Sequence, residues 1–198
     1  MSDGINKGRR NFLIGATSVV GAAGVVGVAV PFVESWNPSA RALAAGAPIK
    51  IDISKLRPGD MLGPIPPWRS KPIFVVNRTQ AMLDKLNSDN ERLLDPDSKE
   101  PQQPPYAQNP TRSIKPAILV VVGICTHLGC SPLFYPKMEP EDFDPKWIGG
   151  FYCPCHGSRY DLAGRVYTQQ PAPLNLVVPH HYYESESVIV IGMDKEAA

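Results

Sequence analysis

Two short segments that contain cysteine and histidine constrain this chain more than any other feature. Residues 125–130 read Cys-Thr-His-Leu-Gly-Cys, and residues 153–161 read Cys-Pro-Cys-His-Gly-Ser-Arg-Tyr-Asp. All four cysteines of the 198-residue protein lie in these segments, together with two of its four histidines. Two thiolates and two imidazoles suit a 2Fe–2S cluster in which two cysteines bind one iron and two histidines bind the other.

The spacing within the segments places the candidate ligands on two loops. Cys125 and His127 are two positions apart in the first segment, and Cys153 and His156 are three positions apart in the second. Each segment also contains a glycine, which permits a tight turn where a side chain would crowd the backbone. Two such loops can hold a cluster from both sides.

Two other kinds of site use the same residues and remain open on this evidence. A Cys2His2 zinc site has the same ligand types, but it leaves the two extra cysteines and the Gly-Ser-x-Tyr sequence after the second histidine unexplained. A purely structural pair of disulfides would use all four cysteines and ignore the histidines.

Both segments resemble the Rieske iron–sulfur proteins of cytochrome bc and related complexes. The words C-T-H-L-G-C and C-P-C-H-G-S-x-Y-D are similar to that family residue for residue, and they occur in order with a plausible gap. Residues 68–79, with the sequence W-R-S-K-P-I-F-V-V-N-R-T, also resemble the Rieske subunit of quinol–cytochrome c reductases. The resemblance therefore extends over the whole chain and is weakest over residues 87–113.

The resemblance implies the ligands of the cluster and the pairing of the remaining cysteines. It assigns Cys125 and Cys153 to one iron and His127 and His156 to the other. It also implies a disulfide between Cys130 and Cys155. A disulfide is expected in a compartment outside the cytosol.

Residues around the ligands are expected to tune the cluster and to contact the substrate. In the family the serine, here Ser158, bonds a bridging sulfide, and the tyrosine, here Tyr160, bonds the sulfur of a ligand cysteine. Such bonds stabilise the electron-rich reduced state and raise the reduction potential. The resemblance further implies that His156 contacts the quinol oxygen, that His127 is its exposed neighbour, and that Leu128 shields the cluster.

A proline-rich stretch at residues 170–176 is expected to cover the other side of the cluster. The family has a Gly-Pro-x-Pro loop there, whereas this chain reads Gln-Pro-Ala-Pro-Leu-Asn-Leu, with Gln170 in the position of the glycine. The two prolines make the stretch stiff. Either the turn has a different conformation in this chain or the glycine is not required.

An apolar segment near the N-terminus predicts a transmembrane helix over residues 12–33. It has no charged residue, and as a helix it is about 33 Å long, enough to cross a hydrocarbon core of about 30 Å. Residues 1–11 form a polar tail in which Arg9 and Arg10 resemble a twin-arginine export signal. Basic residues before the span favour a cytoplasmic N-terminus. We expect a single-pass protein of the bacterial inner membrane with a periplasmic head.

The remaining chain is predicted to consist of a flexible tether, residues 34–48, and a head domain, residues 49–198. The tether is rich in alanine, serine, proline and glycine. Short β-branched runs bounded by proline and glycine predict a mostly β head, an antiparallel β-sandwich of the Rieske type by the resemblance. The cluster-binding subdomain is expected over about residues 123–175.

Two stretches of the head carry no chemistry that the sequence assigns. Residues 87–113 are polar and rich in proline, and they predict an extended surface loop. Residues 131–146 form an insertion between the two cluster loops. One short helix is predicted near residues 80–86.

The sequence and the resemblance together predict the electron-transfer subunit of a membrane quinol–cytochrome c oxidoreductase, an enzyme of several subunits. It would accept an electron and a proton from quinol and pass the electron to a c-type cytochrome, contributing to proton translocation. Cytochrome b and a c-type cytochrome would be its partners in a dimeric complex. The alternative is the Rieske small subunit of another periplasmic oxidoreductase, such as an arsenite oxidase. The formal net charge of +1 gives no basic face for nucleic acid.

Overall fold

The structure, a computed structural model, describes Gly4 and residues 6–195. The predictions for residues 1–3 and 5 of the tail and 196–198 of the head lie outside the described residues. The chain divides into two units, Met1–Ala44 and Ala45–Ala198.

The first unit contains the apolar helix that the sequence predicts. Helix α1 runs from Lys7 to Glu34, so it begins five residues before the predicted span. Its start is set by Asn6, whose side chain accepts a hydrogen bond from the backbone N–H of Arg9 at 3.1 Å. The helix has 28 residues, and its most apolar part has a mean hydropathy of 2.1. By length and composition it can cross a membrane.

The predicted tether is not extended throughout. Helix α2 occupies Ala40–Ala45, and four of its six residues are alanine. Ser39 precedes it, and the Ser39 hydroxyl accepts from the N–H of Ala42 at 3.2 Å. The small residues predicted a flexible stretch, but alanine has the highest helix propensity of all residues, and this favours the short helix. A helix rises only about 1.5 Å per residue, so this part of the tether has less reach than an extended chain.

The second unit contains nine short strands within the described residues. They are β1 (Ile49–Asp52), β2 (Met61–Trp68), β3 (Lys71–Asn77), β4 (Ile118–Val122), β5 (Leu133–Tyr135), β6 (Gly150–Cys153), β7 (Ser158–Tyr160), β8 (His181–Tyr183) and β9 (Val188–Ile191). They form three antiparallel sheets of three strands, in the orders β1-β9-β8, β2-β3-β4 and β5-β6-β7. The prediction of a mostly β, antiparallel head is confirmed.

The sheet β2-β3-β4 is packed on both faces, and one face lies against the two cysteines that are predicted to bind metal. Phe74 and Val76 of β3 lie in the same apolar cluster as Cys125 and Cys153. The alternate residues of β3 pack instead with β1 and β9. All five residues of β4 are buried. Burial on both faces explains why β3 and β4 are continuous apolar runs rather than alternating ones.

Helical elements of the head are short. Helix α3 spans Gln80–Lys85, within one residue of the prediction, and the Thr79 hydroxyl accepts from the N–H of Met82 at 3.3 Å at its start. Two 3₁₀ turns follow, at Asn90–Arg92 and Pro105–Ala107.

The prediction of an extended surface loop over residues 87–113 is wrong. The segment contains the two 3₁₀ turns and buries six residues: Leu93, Ser98, Pro104, Ala107, Arg112 and Ser113. The Arg112 guanidinium donates to the carbonyls of Ala163, Gly164 and Leu176 at 2.8 to 3.2 Å. Polar composition predicts exposure, but a guanidinium can be buried when its N–H groups are paired in this way.

The insertion at residues 131–146 is fixed to the head through Asp144. This carboxylate is 2% exposed, and it accepts from Arg92 and from Arg159, the latter at 3.0 Å. Both guanidinium groups lie over the ring of Tyr167, at 4.8 and 5.7 Å from its centroid. Asp144 therefore links residues 131–146 to the segment 87–113 through Arg92 and to strand β7 through Arg159. Strand β7 follows the second cysteine-histidine loop.

Candidate metal centre

Two loops at the ends of core strands carry the predicted ligands. The first loop follows β4, and the second connects β6 with β7. In each loop the carbonyl of the first cysteine accepts from the N–H of the glycine four positions later: Gly129 to Cys125 at 3.1 Å, and Gly157 to Cys153 at 2.9 Å. Both glycines have a positive φ, 87° and 76°, which residues with a Cβ adopt only rarely. Both loops therefore contain the tight, glycine-dependent turn that the sequence predicts.

Cys125 and Cys153 are the free thiols of this part of the chain, and each is only 2% exposed. Burial is the main reason that the pKa of the Cys153 thiol lies above its usual value, and a hydrogen bond with Cys125 acts in the same direction. Neither thiol takes part in the disulfide. Two buried, free thiols fit a site where a bound metal takes the place of the protons.

His127 and His156 lie against each other, with ring centroids 4.7 Å apart and ring planes at 84°. His156 is exposed and His127 is half-buried. The Nδ1 atom of His127 is buried and has no hydrogen-bond partner among the described residues. An unpaired buried nitrogen is costly, so this atom fits a position that binds a metal through its lone pair.

A disulfide joins Cys130 to Cys155 and links the two loops. The Sγ atoms of Cys130, Cys153 and Cys155 all lie within 4.8 Å of one another. The disulfide thus lies beside one of the free thiols. For a loop of 25 residues the chain-entropy model gives about 3 kcal/mol of stabilisation. Since two thiols stay free, the structure does not support a pair of structural disulfides.

The Tyr160 hydroxyl lies 3.2 Å from the Sγ atom of Cys125. It accepts from the N–H of Thr126 at 3.1 Å. The Thr126 hydroxyl donates its own proton to the carbonyl of Leu174 at 2.7 Å. The phenol proton of Tyr160 is thus free to be donated to Cys125 Sγ or to Thr126 Oγ1. Burial, and then the contact with Cys125, raises the pKa of Tyr160 well above its usual value, so this proton is retained.

Ser158 is fully buried at the start of β7. Its Oγ atom accepts from the N–H of Ala172 at 3.2 Å. Its own proton has no acceptor within the described part of the chain. A buried hydroxyl with a free proton fits a site where a bound cofactor supplies the acceptor.

Leu128 is 72% exposed next to His127. An exposed leucine beside a half-buried imidazole gives the first loop an apolar surface. This exposure is compatible with the shielding and docking role expected from the sequence, which stays a prediction.

The structure therefore places the predicted site residues on the two loops and on strands β6 and β7, which flank the second loop. It also shows one contributor that the sequence analysis missed, Thr126, which connects Tyr160 with the proline-rich loop at Leu174. Its position between two candidate ligands was the only signal in the sequence, because its partners lie 34 and 48 residues away. Thiols, imidazoles and two free hydroxyl protons together fit an iron–sulfur cluster, since its sulfide and thiolate sulfurs accept hydrogen bonds.

We expect Ser158→Ala and Tyr160→Phe each to lower the midpoint potential of the bound cluster. Each variant removes one donor to sulfur, and such donors stabilise the reduced state. The double variant should have a lower midpoint than either single variant. Loss of outer contacts typically costs about 10-fold or more in metal affinity or activity. Redox titration followed by EPR measures the midpoints.

Tyr106→Phe is the matched control for these variants. The Tyr106 hydroxyl bonds to the His181 carbonyl and to Asp194, away from both loops, at 3.0 and 3.1 Å. This control should keep the wild-type midpoint. Unchanged midpoints in both Ser158→Ala and Tyr160→Phe would contradict the tuning role.

Two family profiles match the chain. The family described as "Ubiquitinol-cytochrome C reductase Fe-S subunit TAT signal" matches residues 1–39. The family described as "Rieske [2Fe-2S] domain" matches residues 108–180. The first match contains helix α1, and the second contains every candidate ligand.

Relatives are similar over nearly the whole chain. The "Ubiquinol-cytochrome c reductase iron-sulfur subunit" of Allochromatium vinosum is 56% identical over 197 residues, which cover 100% of this chain and 94% of the relative. The protein of that name from Blastochloris viridis is 43% identical, with 96% of each chain covered. The "Cytochrome b-c1 complex subunit Rieske, mitochondrial" of Schizosaccharomyces pombe is 36% identical over 90% of this chain and 68% of the relative. Among solved structures, a chain of a "Hyperthermophilic respiratory Complex III" is 25% identical over 87% of this chain and 96% of that chain, with a TM-score of 0.47.

Proposed function

This chain belongs to the Rieske iron–sulfur subunits of ubiquinol–cytochrome c reductase, and from that premise we propose that it is the electron-transfer subunit of a membrane quinol–cytochrome c oxidoreductase. Its cofactor is a Rieske-type 2Fe–2S cluster. The observation that carries the proposal is that two loops joined by a disulfide present two free, buried thiols and two imidazoles packed against each other. A subunit of another oxidoreductase, such as an arsenite oxidase, is not favoured, because these relatives are named as ubiquinol–cytochrome c reductase subunits.

The ligand set that we propose uses all four free donors. Cys125 and Cys153 bind one iron through their thiolates, and His127 and His156 bind the other through neutral ring nitrogens. When bound, the cluster supplies one-electron redox chemistry at a higher potential than an all-thiolate cluster has. The partnerless Nδ1 of His127 supports its place in this set.

His156 is the proposed contact for quinol. Its imidazole is exposed, so a substrate hydroxyl can reach the ring nitrogen that is not bound to iron. That nitrogen accepts the hydrogen bond from the hydroxyl and takes its proton. His127 stands beside it, and since its Nδ1 is buried, Nε2 is its remaining proton-binding atom. Leu128 covers this surface with an apolar side chain.

The N-terminal part of the chain anchors the subunit. We assign residues 1–11 to a cytoplasmic tail, 12–33 to the membrane span of the bacterial inner membrane, and 34–48 to a tether. The head, residues 49–198, lies in the periplasm. Basic residues before the span support this orientation. The tether lets the head move between the quinol site, shared with cytochrome b, and the haem of a c-type cytochrome in a dimeric complex.

EPR of the purified membrane complex tests this proposal. At low temperature we expect a spectrum whose average g-value is below that of an all-thiolate cluster. We also expect b- and c-type haem to purify with the chain, and cytochrome c to be reduced when quinol is added. Zinc without iron or acid-labile sulfide in the matured protein would contradict the proposal.

A further inference from the structure

The side chain of Gln170 makes a two-point contact with β7. The N–H of Arg159 donates to Gln170 Oε1 at 2.7 Å, and Gln170 Nε2 donates to the Arg159 carbonyl at 2.6 Å. One side-chain amide thus pairs both backbone groups of a strand residue, as a neighbouring strand would do. Strand β7 is the last strand of its sheet. The backbone of residues 166–167 also pairs with this edge, since Val166 bridges Tyr160 and the N–H of Tyr167 donates to the Arg159 carbonyl at 3.2 Å. Gln170 continues that pairing and is the residue that donates to and accepts from Arg159.

The turn before the proline-rich loop does not need a glycine at position 170. Gln169 has a φ of 58°, in the left-handed region, so the left-handed residue of this turn is the one before Gln170. Position 170 can therefore carry a side chain. Gln170 itself does not have a positive φ, so glycine is not required at this position of this chain.

The loop after Gln170 has a single backbone donor between its two prolines. Pro171 and Pro173 have no N–H. The N–H of Ala172 donates to Ser158 Oγ at 3.2 Å, and both residues are almost completely buried. This bond occupies one lone pair of the Ser158 hydroxyl. The hydroxyl proton must then point away from Ala172, and it has no acceptor in the described chain.

The contacts of Gln170 and Ala172 fall on adjacent strand residues, Arg159 and Ser158. These three hydrogen bonds continue the pairing of Val166 and Tyr167 with β7 and hold the proline-rich loop against the strand. Without the two bonds of Gln170, the bond from Ala172 is the one hydrogen bond that remains between residues 170–173 and β7 in the described structure. The position of Ala172 beside the Ser158 hydroxyl would then depend on this bond, which at 3.2 Å is longer than the two bonds of Gln170.

We propose that Gln170 is a positioning residue for the metal centre. Its side chain holds the proline-rich loop on β7, so that Ala172 keeps the Ser158 hydroxyl aimed at the cluster. The inference rests on the proposed function, because it gives Gln170 a role at the site assigned there. Gln170 acts through Ser158 and does not itself touch the ligands.

A double-mutant cycle in the purified membrane complex tests this role. Gln170→Ala should shift the midpoint potential downwards by no more than Ser158→Ala does. In the Ser158→Ala background, the Gln170 change should give no further shift, because the hydroxyl that it orients is already absent. Gln170→Glu keeps an acceptor for the Arg159 N–H but loses the donor to the Arg159 carbonyl, so it should also lower the midpoint. The Ala172 amide should exchange hydrogen faster in Gln170→Ala.

Gln169→Asn is the matched control, because Gln169 is exposed, makes no side-chain hydrogen bond among the described residues, and asparagine tolerates a positive φ. It should keep the wild-type midpoint. Wild-type midpoints in both Gln170 variants, or a full additional shift in the Ser158→Ala background, would overturn the inference. If Gln170→Ala does not retain iron, the test rests on Gln170→Glu: a lowered midpoint supports the positioning role, and a wild-type midpoint overturns it. A wild-type complex without a cluster would contradict the proposed function instead.

Discussion

Replacement of His156 by glutamine is expected to give a complex whose Rieske-type subunit holds no cluster. The imidazole is one of only two nitrogen donors proposed for its iron, and His127 alone cannot complete the coordination. Without the metal, the Cys153 thiol is protonated, because burial raises its pKa. Iron and acid-labile sulfide per chain, the EPR signal and quinol-dependent reduction of cytochrome c should all fall to background.

His180→Gln is the matched control. This histidine is exposed, and its Nδ1 atom pairs with Asp194 at 2.7 Å on the surface. The control should retain wild-type iron content and activity. A His156→Gln variant with full iron content and an unchanged spectrum would remove His156 from the ligand set. A variant that retained zinc in place of iron would favour the zinc site.

The sequence predicts the core strands and the cluster loops because their signals are local. Strands β3 and β4 are continuous apolar runs rich in β-branched residues. Both faces of their sheet are buried, which is why apolar and polar residues do not alternate along them. The ligands sit at fixed short spacings within two motifs, so loop geometry follows from a few residues. Strands β5, β7 and β8 have three residues each, too few for any periodicity to appear in the sequence.

The sequence could not predict features whose partners are far away along the chain. Arg112 lies in a polar, proline-rich segment, yet its guanidinium is buried by carbonyls 51 to 64 positions later. Asp144 is one acidic residue among several, and only the fold brings Arg92 and Arg159 to it. Gln170 looked like a departure from the family, and its contact with Arg159 is visible only once the loop is folded against β7.

Asp161 carries the negative charge at the centre of a group of buried arginines. Asp161 and Arg165 are each 1% exposed, and Asp161 Oδ2 accepts from Arg165 Nε at 2.8 Å. Arg78 and Arg112 are also buried nearby. Burial lowers the pKa of Arg78 and of Arg112 to about 10, and the charge of Asp161 opposes that change. The guanidinium groups of Arg78 and Arg112 therefore stay protonated at neutral pH.

The same carboxylate also shapes the turn after Tyr160. Its Oδ1 atom accepts from the N–H groups of Ala163 and Arg165 at 2.9 and 2.7 Å. The Tyr160 hydroxyl is the donor beside Cys125. Asp161 thus holds the turn that directly follows Tyr160, the residue whose hydroxyl lies beside Cys125.

Asp161→Asn is expected to lower the free energy of unfolding by about 3–5 kcal/mol, because it leaves a buried guanidinium without its anion. Asparagine keeps an acceptor for the turn, so the loss reports mainly on the charge. Such a loss is a large part of a typical total of about 5–15 kcal/mol. Asp142→Asn, at an exposed carboxylate that pairs with no cation among the described residues, should change stability by less than about 0.5 kcal/mol. Denaturant unfolding of the purified, iron-containing chain measures both. A loss below about 1 kcal/mol in Asp161→Asn would show that the carbonyls around the arginines, rather than Asp161, stabilise their charge.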